Sequence, residues 1–226
     1  MPFLPGPHGP IPVLVREPSE PRGTVFVFHG LHASKETQDK ELQSLAAAGF
    51  RAVGVDAPGH GERPELEGPG EGDFFVRLLH LVTLAVDEVP TLLDAFPGPH
   101  GLVGISFGAY LTFAAASETR VRAAVPILGS PDWTRRAAPG PPVPPHLAAR
   151  SPHRSPERLA HTAVFAWNAG RDVHVPAEPA RRFVEALPGR GHQYREYPES
   201  DHFMRPEDWE DGWSRTLQHL ARWLGD

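Results

Sequence analysis

The chain contains no cysteine, which excludes disulfide staples, thiolate zinc sites and a cysteine nucleophile. Lysine is nearly absent too: Lys35 and Lys40 are the only two, and arginine carries the rest of the positive charge. There is one asparagine, Asn168, and two methionines including the first residue. So few thermolabile residues beside much proline suit a heat-adapted protein, and a GC-rich genome would leave the same composition. No apolar run approaches the roughly 18 residues of a membrane span. The first residues, Met1 to Gly6, offer neither a basic start nor a long apolar stretch, so no signal peptide and a cytoplasmic location are expected. A net charge of −6 argues against a nucleic-acid or polybasic membrane role.

What is present is a packed chain with many sharp turns. Its 226 residues include 22 glycines and 27 prolines, yet 40% are hydrophobic. One domain over 1–226 accounts for the length. No repeat or heptad is visible. Strand and helix patterns alternate, the signature of an α/β fold with a mostly parallel sheet of about eight strands and helices on both faces. Apolar, β-rich runs at 11–15, 24–28, 51–55, 102–105, 121–128 and 163–167 read as strands, and Gln193–Tyr197 reads as one more. Helical spacing predicts helices over 35–48, 72–95, 107–117, 177–187 and 207–224. On the last of these, Trp209 and Trp213 read as core anchors. Residues 131–160 break the rhythm. Five prolines between Pro139 and Pro145 require an extended start, and 146–160 has room for a short helix. This stretch reads as a short lid-like insertion.

The sharpest chemical signal is Gly104-Ile105-Ser106-Phe107-Gly108. Ser106 falls between a predicted strand and a predicted helix, where a nucleophile elbow requires it. Such a turn projects the hydroxyl above the sheet edge and aims the N–H of Phe107 at the same spot. Side chains at 104 and 108 would collide with the adjoining elements. A serine hydroxyl needs a base, usually histidine oriented by a carboxylate. His202 stands in the loop between the last strand and last helix, where a base can reach the elbow. The acid should follow the preceding strand, which gives Asp172; Asp132, one strand earlier, is the rival. Acyl transfer also needs oxyanion donors. Phe107 supplies one N–H and Leu31, after the 24–28 strand, the second, with Gly30 allowing close approach. His29 is read as a buried hydrogen-bonding residue that shapes this loop. His32, His60 and Trp133 are pocket candidates, with His146, Leu147 and Leu159 as further walls.

With these parts in order, the chain resembles the α/β-hydrolase superfamily over essentially its whole length. Phe28-His29-Gly30-Leu31-His32-Ala33-Ser34-Lys35-Glu36 and Asp56-Ala57-Pro58-Gly59-His60-Gly61-Glu62-Arg63 are similar to small bacterial esterases of its prolyl-oligopeptidase-like and dienelactone-hydrolase-like branch. Three departures matter. Dienelactone hydrolases proper use a cysteine, branch peptidases carry a propeller, and lid-bearing lipases have longer apolar insertions. The resemblance implies a serine hydrolase cleaving small carboxylic esters, with no metal and no organic cofactor. Thioesters, lactones or small peptides fit the same machinery. A non-catalytic scaffold that binds a small ligand is the competing reading, and an intact set of three side chains with both oxyanion loops weighs against it.

Overall fold

The computed structural model describes residues 3–64, 73–189 and 191–225. In chain order its strands and helices are β1 (Phe3–Leu4), β2 (Ile11–Arg16), β3 (Thr24–Phe28), α1 (Asp39–Ala47), β4 (Arg51–Val55), α2 (Phe74–Ala95), β5 (His100–Ile105), α3 (Phe107–Ala115), β6 (Val121–Ile127), α4 (Pro145–Ala148), β7 (Ala163–Ala169), α5 (Glu178–Ala186), β8 (Gln193–Tyr197) and α6 (Pro206–Leu224). The eight strands form one sheet in the order β1-β2-β4-β3-β5-β6-β7-β8. β1 and β2 run antiparallel to their neighbours and every later pairing is parallel.

Period-two alternation sends successive side chains of each strand to opposite faces. Phe26 and Phe28 of β3 enter one core with Leu79, Val82, Tyr110 and Leu111 of α2 and α3. Val25 and Val27 enter the other, with Leu42 and Leu45 of α1 and Leu220 and Leu224 of α6. Helices therefore cover both faces, as the unbroken apolar runs of the central strands require. After β3 the chain adds β4 on one side and then returns to place β5 on the other. That reversal opens a crevice at the carboxyl ends of β3 and β5, where ligands of such sheets bind.

The departures from the sequence reading have local causes. The helix expected over 35–48 begins as a 3-10 turn, Lys35–Gln38, because Ser34 and Thr37 cap one another and Lys35 is drawn to Asp56. The start expected at 72 lies outside the described residues; Asp73 caps α2 through its carboxylate on the N–H of Val76 (3.1 Å). β7 runs on to Ala169, two residues further than its apolar core suggested. Residues 131–160 hold α4 and two 3-10 turns, Pro152–Arg154 and Pro156–Leu159. Trp209 and Trp213 are half-buried and stack on each other, with the Trp213 indole N–H donating to Ser44 Oγ (3.0 Å) and Trp209 edging onto Trp167. Among the described residues no helix is long and apolar enough to cross a membrane.

Candidate active site

The loop leaving β5 turns into α3 within one residue. Ser106 takes φ 52° and ψ −110°, a backbone conformation that L-residues avoid. The flanking glycines make this possible. A Cβ on Gly104 would lie 2.0 Å from the carbonyl oxygen of Gly108, and one on Gly108 would lie 2.2 Å from that of Phe28. The first overlap would force α3 away from β5, and the second would force it away from the end of β3. The N–H of Ser106 is tied to Ile127 O on β6 (2.8 Å), and that of Gly108 to His29 O (3.1 Å), so the turn is anchored on both sides.

Three loops bring the polar groups to this turn. Ser106 Oγ stands 3.0 Å from His202 Nε2, and His202 Nδ1 stands 2.6 Å from Asp172 Oδ2. The other oxygen of the buried Asp172 carboxylate accepts from the N–H groups of His174 (2.8 Å) and Val175 (2.9 Å), which fixes its plane. Because Nδ1 faces a carboxylate, it carries the ring proton, and Nε2 is left as the acceptor toward Ser106. The Asp172 and His202 loops are zipped together by Gly170 N–H to Tyr197 O (2.8 Å) and Arg171 N–H to Ser200 O (2.9 Å). Gly170 is required there, since a Cβ would lie 2.7 Å from the Cα of Pro198. Ser200 in turn donates to Asp208 on α6 (2.7 Å). Asp132 is engaged elsewhere. It accepts from the backbone N–H and hydroxyl of Thr134 (2.9 and 2.6 Å) and lies 3.3 Å from His153.

Leu31 follows the end of β3 and shares a cavity with Ser106 and His202. Among the described residues, no protein hydrogen bond takes up the N–H of Leu31 or of Phe107. A Cβ on Gly30 would sit 3.9 Å from that of Ser106, an ordinary contact. The loop thus runs alongside the serine, but steric exclusion is not why residue 30 is glycine. His29 plays the part read for it. It is buried, its Nδ1 donates to Gly30 O (2.7 Å), and its Nε2 accepts from the N–H of Ala57 (3.2 Å). Burial pushes its pKa down to about 4.

The pocket readings need correction. The cavity at Ser106 has a volume of about 600 Å³, and Phe75, Leu78, Tyr110, Leu128, Arg136 and Val175 contribute to its walls. Trp133 is not among them. It is fully buried in the core beneath, with its backbone N–H held by Ser151 Oγ (2.8 Å). Leu147 and Leu159 are likewise core residues, and His146 is exposed. The apolar residues of 131–160 thus fasten that stretch to the body, while Arg136 to Pro139 face the cavity. His32 and His60 line a smaller adjoining cavity of about 190 Å³ that shares Leu31, Phe74 and Leu78 with the main one. Burial lowers the pKa of His60, whose ring packs on those of His29 and Phe107. Sequence reasoning missed Tyr110 and Arg136. Tyr110 is four residues beyond Ser106, a spacing that puts it on the same helix face, and this was the available signal.

Relatives agree with this architecture. Over 225 residues the chain is 28% identical to the Bacillus subtilis (strain 168) protein named "Putative esterase YitV", covering 86% of each chain. The crystal structure of TT1662 from Thermus thermophilus superposes with a TM-score of 0.78 at 26% identity, over 99% of this chain and 97% of that one. A cold-adapted esterase from an Arctic intertidal metagenomic library has the same fold, with a TM-score of 0.76 at 21% identity over 98% and 92% of the two chains. The model of the Alpha/beta hydrolase family matches residues 25–225, and the chain belongs to that family.

Proposed function

We propose that the protein is a serine esterase that cleaves small carboxylic esters through an acyl-enzyme. The observation that carries this reading is the unbroken run of hydrogen bonds from Ser106 Oγ through the His202 ring to the Asp172 carboxylate, hung on a strained elbow. Ser106 Oγ attacks the ester carbonyl while His202 Nε2 takes the hydroxyl proton. Asp172 holds the ring orientation and balances the imidazolium that forms. The N–H groups of Leu31 and Phe107 receive the oxyanion, the second at the N-terminus of α3, where the helix dipole adds to the attraction. His202 then gives its proton to the departing alcohol. Water enters by the same base and releases the acid. Donors fixed on the backbone in advance would stabilise the oxyanion with no reorganisation at the moment charge develops, and the lack of a backbone partner for either N–H among the described residues supports this reading.

The test is covalent labelling. A fluorophosphonate probe should label the wild-type protein, and Ser106→Ala should abolish the label and lower ester turnover by several orders of magnitude. Labelling of Ser106→Ala at the wild-type rate would remove Ser106 from this role. The same experiment separates an enzyme from a ligand-binding scaffold, which would not be labelled at all.

A further inference from the structure

Tyr110 is out of place for a core residue. It is 5% exposed, sits in the second turn of α3, and packs edge-on against Phe75 with ring centroids 6.2 Å apart. Its hydroxyl makes no hydrogen bond to any described residue, and the residue lines the cavity that holds Ser106 and His202. Buried tyrosines ordinarily find a protein partner for the O–H, because an unpaired phenol is costlier than the phenylalanine that would fill the same space; this ring is buried, but its oxygen is not sealed off. Here the open space beside it is the space a substrate would enter. Burial, with Asp172 and then Asp132 nearby, drives its pKa well above the usual phenol range, so the group is a proton donor at any working pH.

The surroundings select the kind of acceptor. Two carboxylates bear on Tyr110, and the cation in the same cavity wall, Arg136, is bound through Nη1 to Asp73 (2.8 Å) and laid over the Phe75 ring (5.0 Å). That pair carries no net charge, and what Arg136 still offers there is a hydrogen-bond donor, its Nη2, buried without a partner among the described residues. Beside two aspartates, an anionic acceptor would meet a repulsive field, whereas a neutral oxygen would not.

We propose that Tyr110 is a specificity residue whose hydroxyl donates a hydrogen bond to an uncharged oxygen on the acyl part of the substrate, so that the preferred esters carry an ether, keto or hydroxyl oxygen along the acyl chain. This rests on the reading of Ser106 as nucleophile. Position supports it. The backbone N–H of Tyr110 bonds to the carbonyl of Ser106 (3.3 Å), which places the ring one helical turn from the acylated serine and inside the same cavity.

The experiment compares esters of matched shape. p-Nitrophenyl butyrate is paired with p-nitrophenyl methoxyacetate, and p-nitrophenyl valerate with p-nitrophenyl 3-methoxypropionate. Each rate is normalised to the ester's own alkaline hydrolysis, and the wild-type protein is set against Tyr110→Phe. In at least one pair the normalised kcat/KM of the wild type should favour the oxygenated ester by about three- to tenfold. Tyr110→Phe should lose that preference, the oxygenated ester falling relative to its alkyl partner in each pair that shows it. A merely structural hydroxyl would lower both members of a pair alike, and that result would overturn the proposal, as would equal wild-type rates within both pairs. A Tyr110-dependent preference for p-nitrophenyl hemisuccinate over the methoxy esters would also overturn it, since the acceptor would then be a carboxylate. These outcomes stay distinct from a failure of the esterase reading, which would show as labelling and turnover that survive Ser106→Ala.

Discussion

Acid should loosen this fold through two buried histidines. His29 and His219 are 1% and 4% exposed, and burial holds both at about 4, against an ordinary value of 6.5. The geometry explains why neither takes a second proton easily. On His29, Nε2 is an acceptor for the N–H of Ala57 (3.2 Å), and protonation would set two donors face to face. On His219, Nε2 donates to Ala163 O (3.1 Å), while Nδ1 is buried without a partner in a setting that includes Phe165 and Trp223. In the unfolded chain both rings titrate near their ordinary value. Between about pH 6.5 and about pH 4 the unfolded state therefore holds more protons, and stability falls as pH falls through that window and is complete above it. A pKa unit is worth about 1.4 kcal/mol, so each histidine contributes a slope of about 1 kcal/mol per pH unit and a loss of about 3 kcal/mol over the whole window. Together they withdraw about 6 kcal/mol, comparable to the total stability of many domains. His60, lowered by the same cause, acts in the same direction. Glu36, which Lys35 pulls down to about 2, titrates in the folded state below this range. Urea unfolding in steps from about pH 7 to about pH 4.5, at fixed ionic strength, measures the slope. His219→Gln keeps a donor toward Ala163 but removes one titration, and should flatten the slope by about 1 kcal/mol per pH unit. An unchanged slope in that variant would refute the argument from burial.

Two substitutions test the site and its frame. Asp172→Asn should lower kcat by up to about 10⁴ in ester hydrolysis, because the amide can present an N–H to His202 Nδ1 and favour the wrong tautomer. Asp132→Asn, whose carboxylate serves Thr134 and His153, should cost far less, and the opposite ranking would move the acid to the loop after β6. Glu88→Gln should destabilise the protein by about 3–5 kcal/mol in denaturant unfolding, since it strands the buried guanidinium of Arg63, which Glu88 grips with both oxygens at 2.7 Å. A loss below about 1 kcal/mol would mean the pair is solvated in practice.

Much of the sheet was legible because its strands are buried on both faces. Val25, Phe26, Val27 and Phe28 form one continuous apolar run, and such runs leave little choice of element. Ser106, His202 and Asp172 were legible for another reason: each follows a strand and precedes a helix, so topology alone sends them to one edge. The cavity walls were not legible. Trp133, Leu147 and Leu159 lie in a proline-rich stretch without periodicity, and the sequence cannot say which side of such a stretch faces inward. They turned toward the core because there was apolar area to bury. Tyr110 was hidden by the opposite effect. On a helix as apolar as α3, with eight of nine residues buried, a tyrosine reads as packing, and only the open space beside its hydroxyl distinguishes it.

The two segments that most resemble known esterases form a frame beside the groups proposed to react. Asp56, fully buried at the end of β4, accepts from the backbone N–H of Lys35 (2.8 Å), from its ammonium (2.8 Å) and from the N–H of Glu62 (3.0 Å). The Lys35 ammonium also reaches Glu62 Oε1 (2.5 Å), so it draws the loop after β3 onto the loop after β4. Gly61, at φ 58°, lies against the same carboxylate; a Cβ there would stand 2.2 Å from it, so a side chain at 61 would break the clasp. Arg63 continues the frame by bonding Glu88 on α2 and the carbonyl of His8 (3.0 Å). Through His29, whose ring spans Gly30 O and the N–H of Ala57, this network reaches the backbone next to Leu31. An N–H can stabilise an oxyanion only if it points at the place where charge develops, and a loop that drifted by an ångström would lose most of that effect. Buried ions are an expensive way to hold a loop, but removing one partner is costlier still, and this makes the arrangement all-or-none. Under the proposed function, the charged and histidine-rich residues that look most chemical in the sequence act at one remove, by fixing where the uncharged backbone of Leu31 can be.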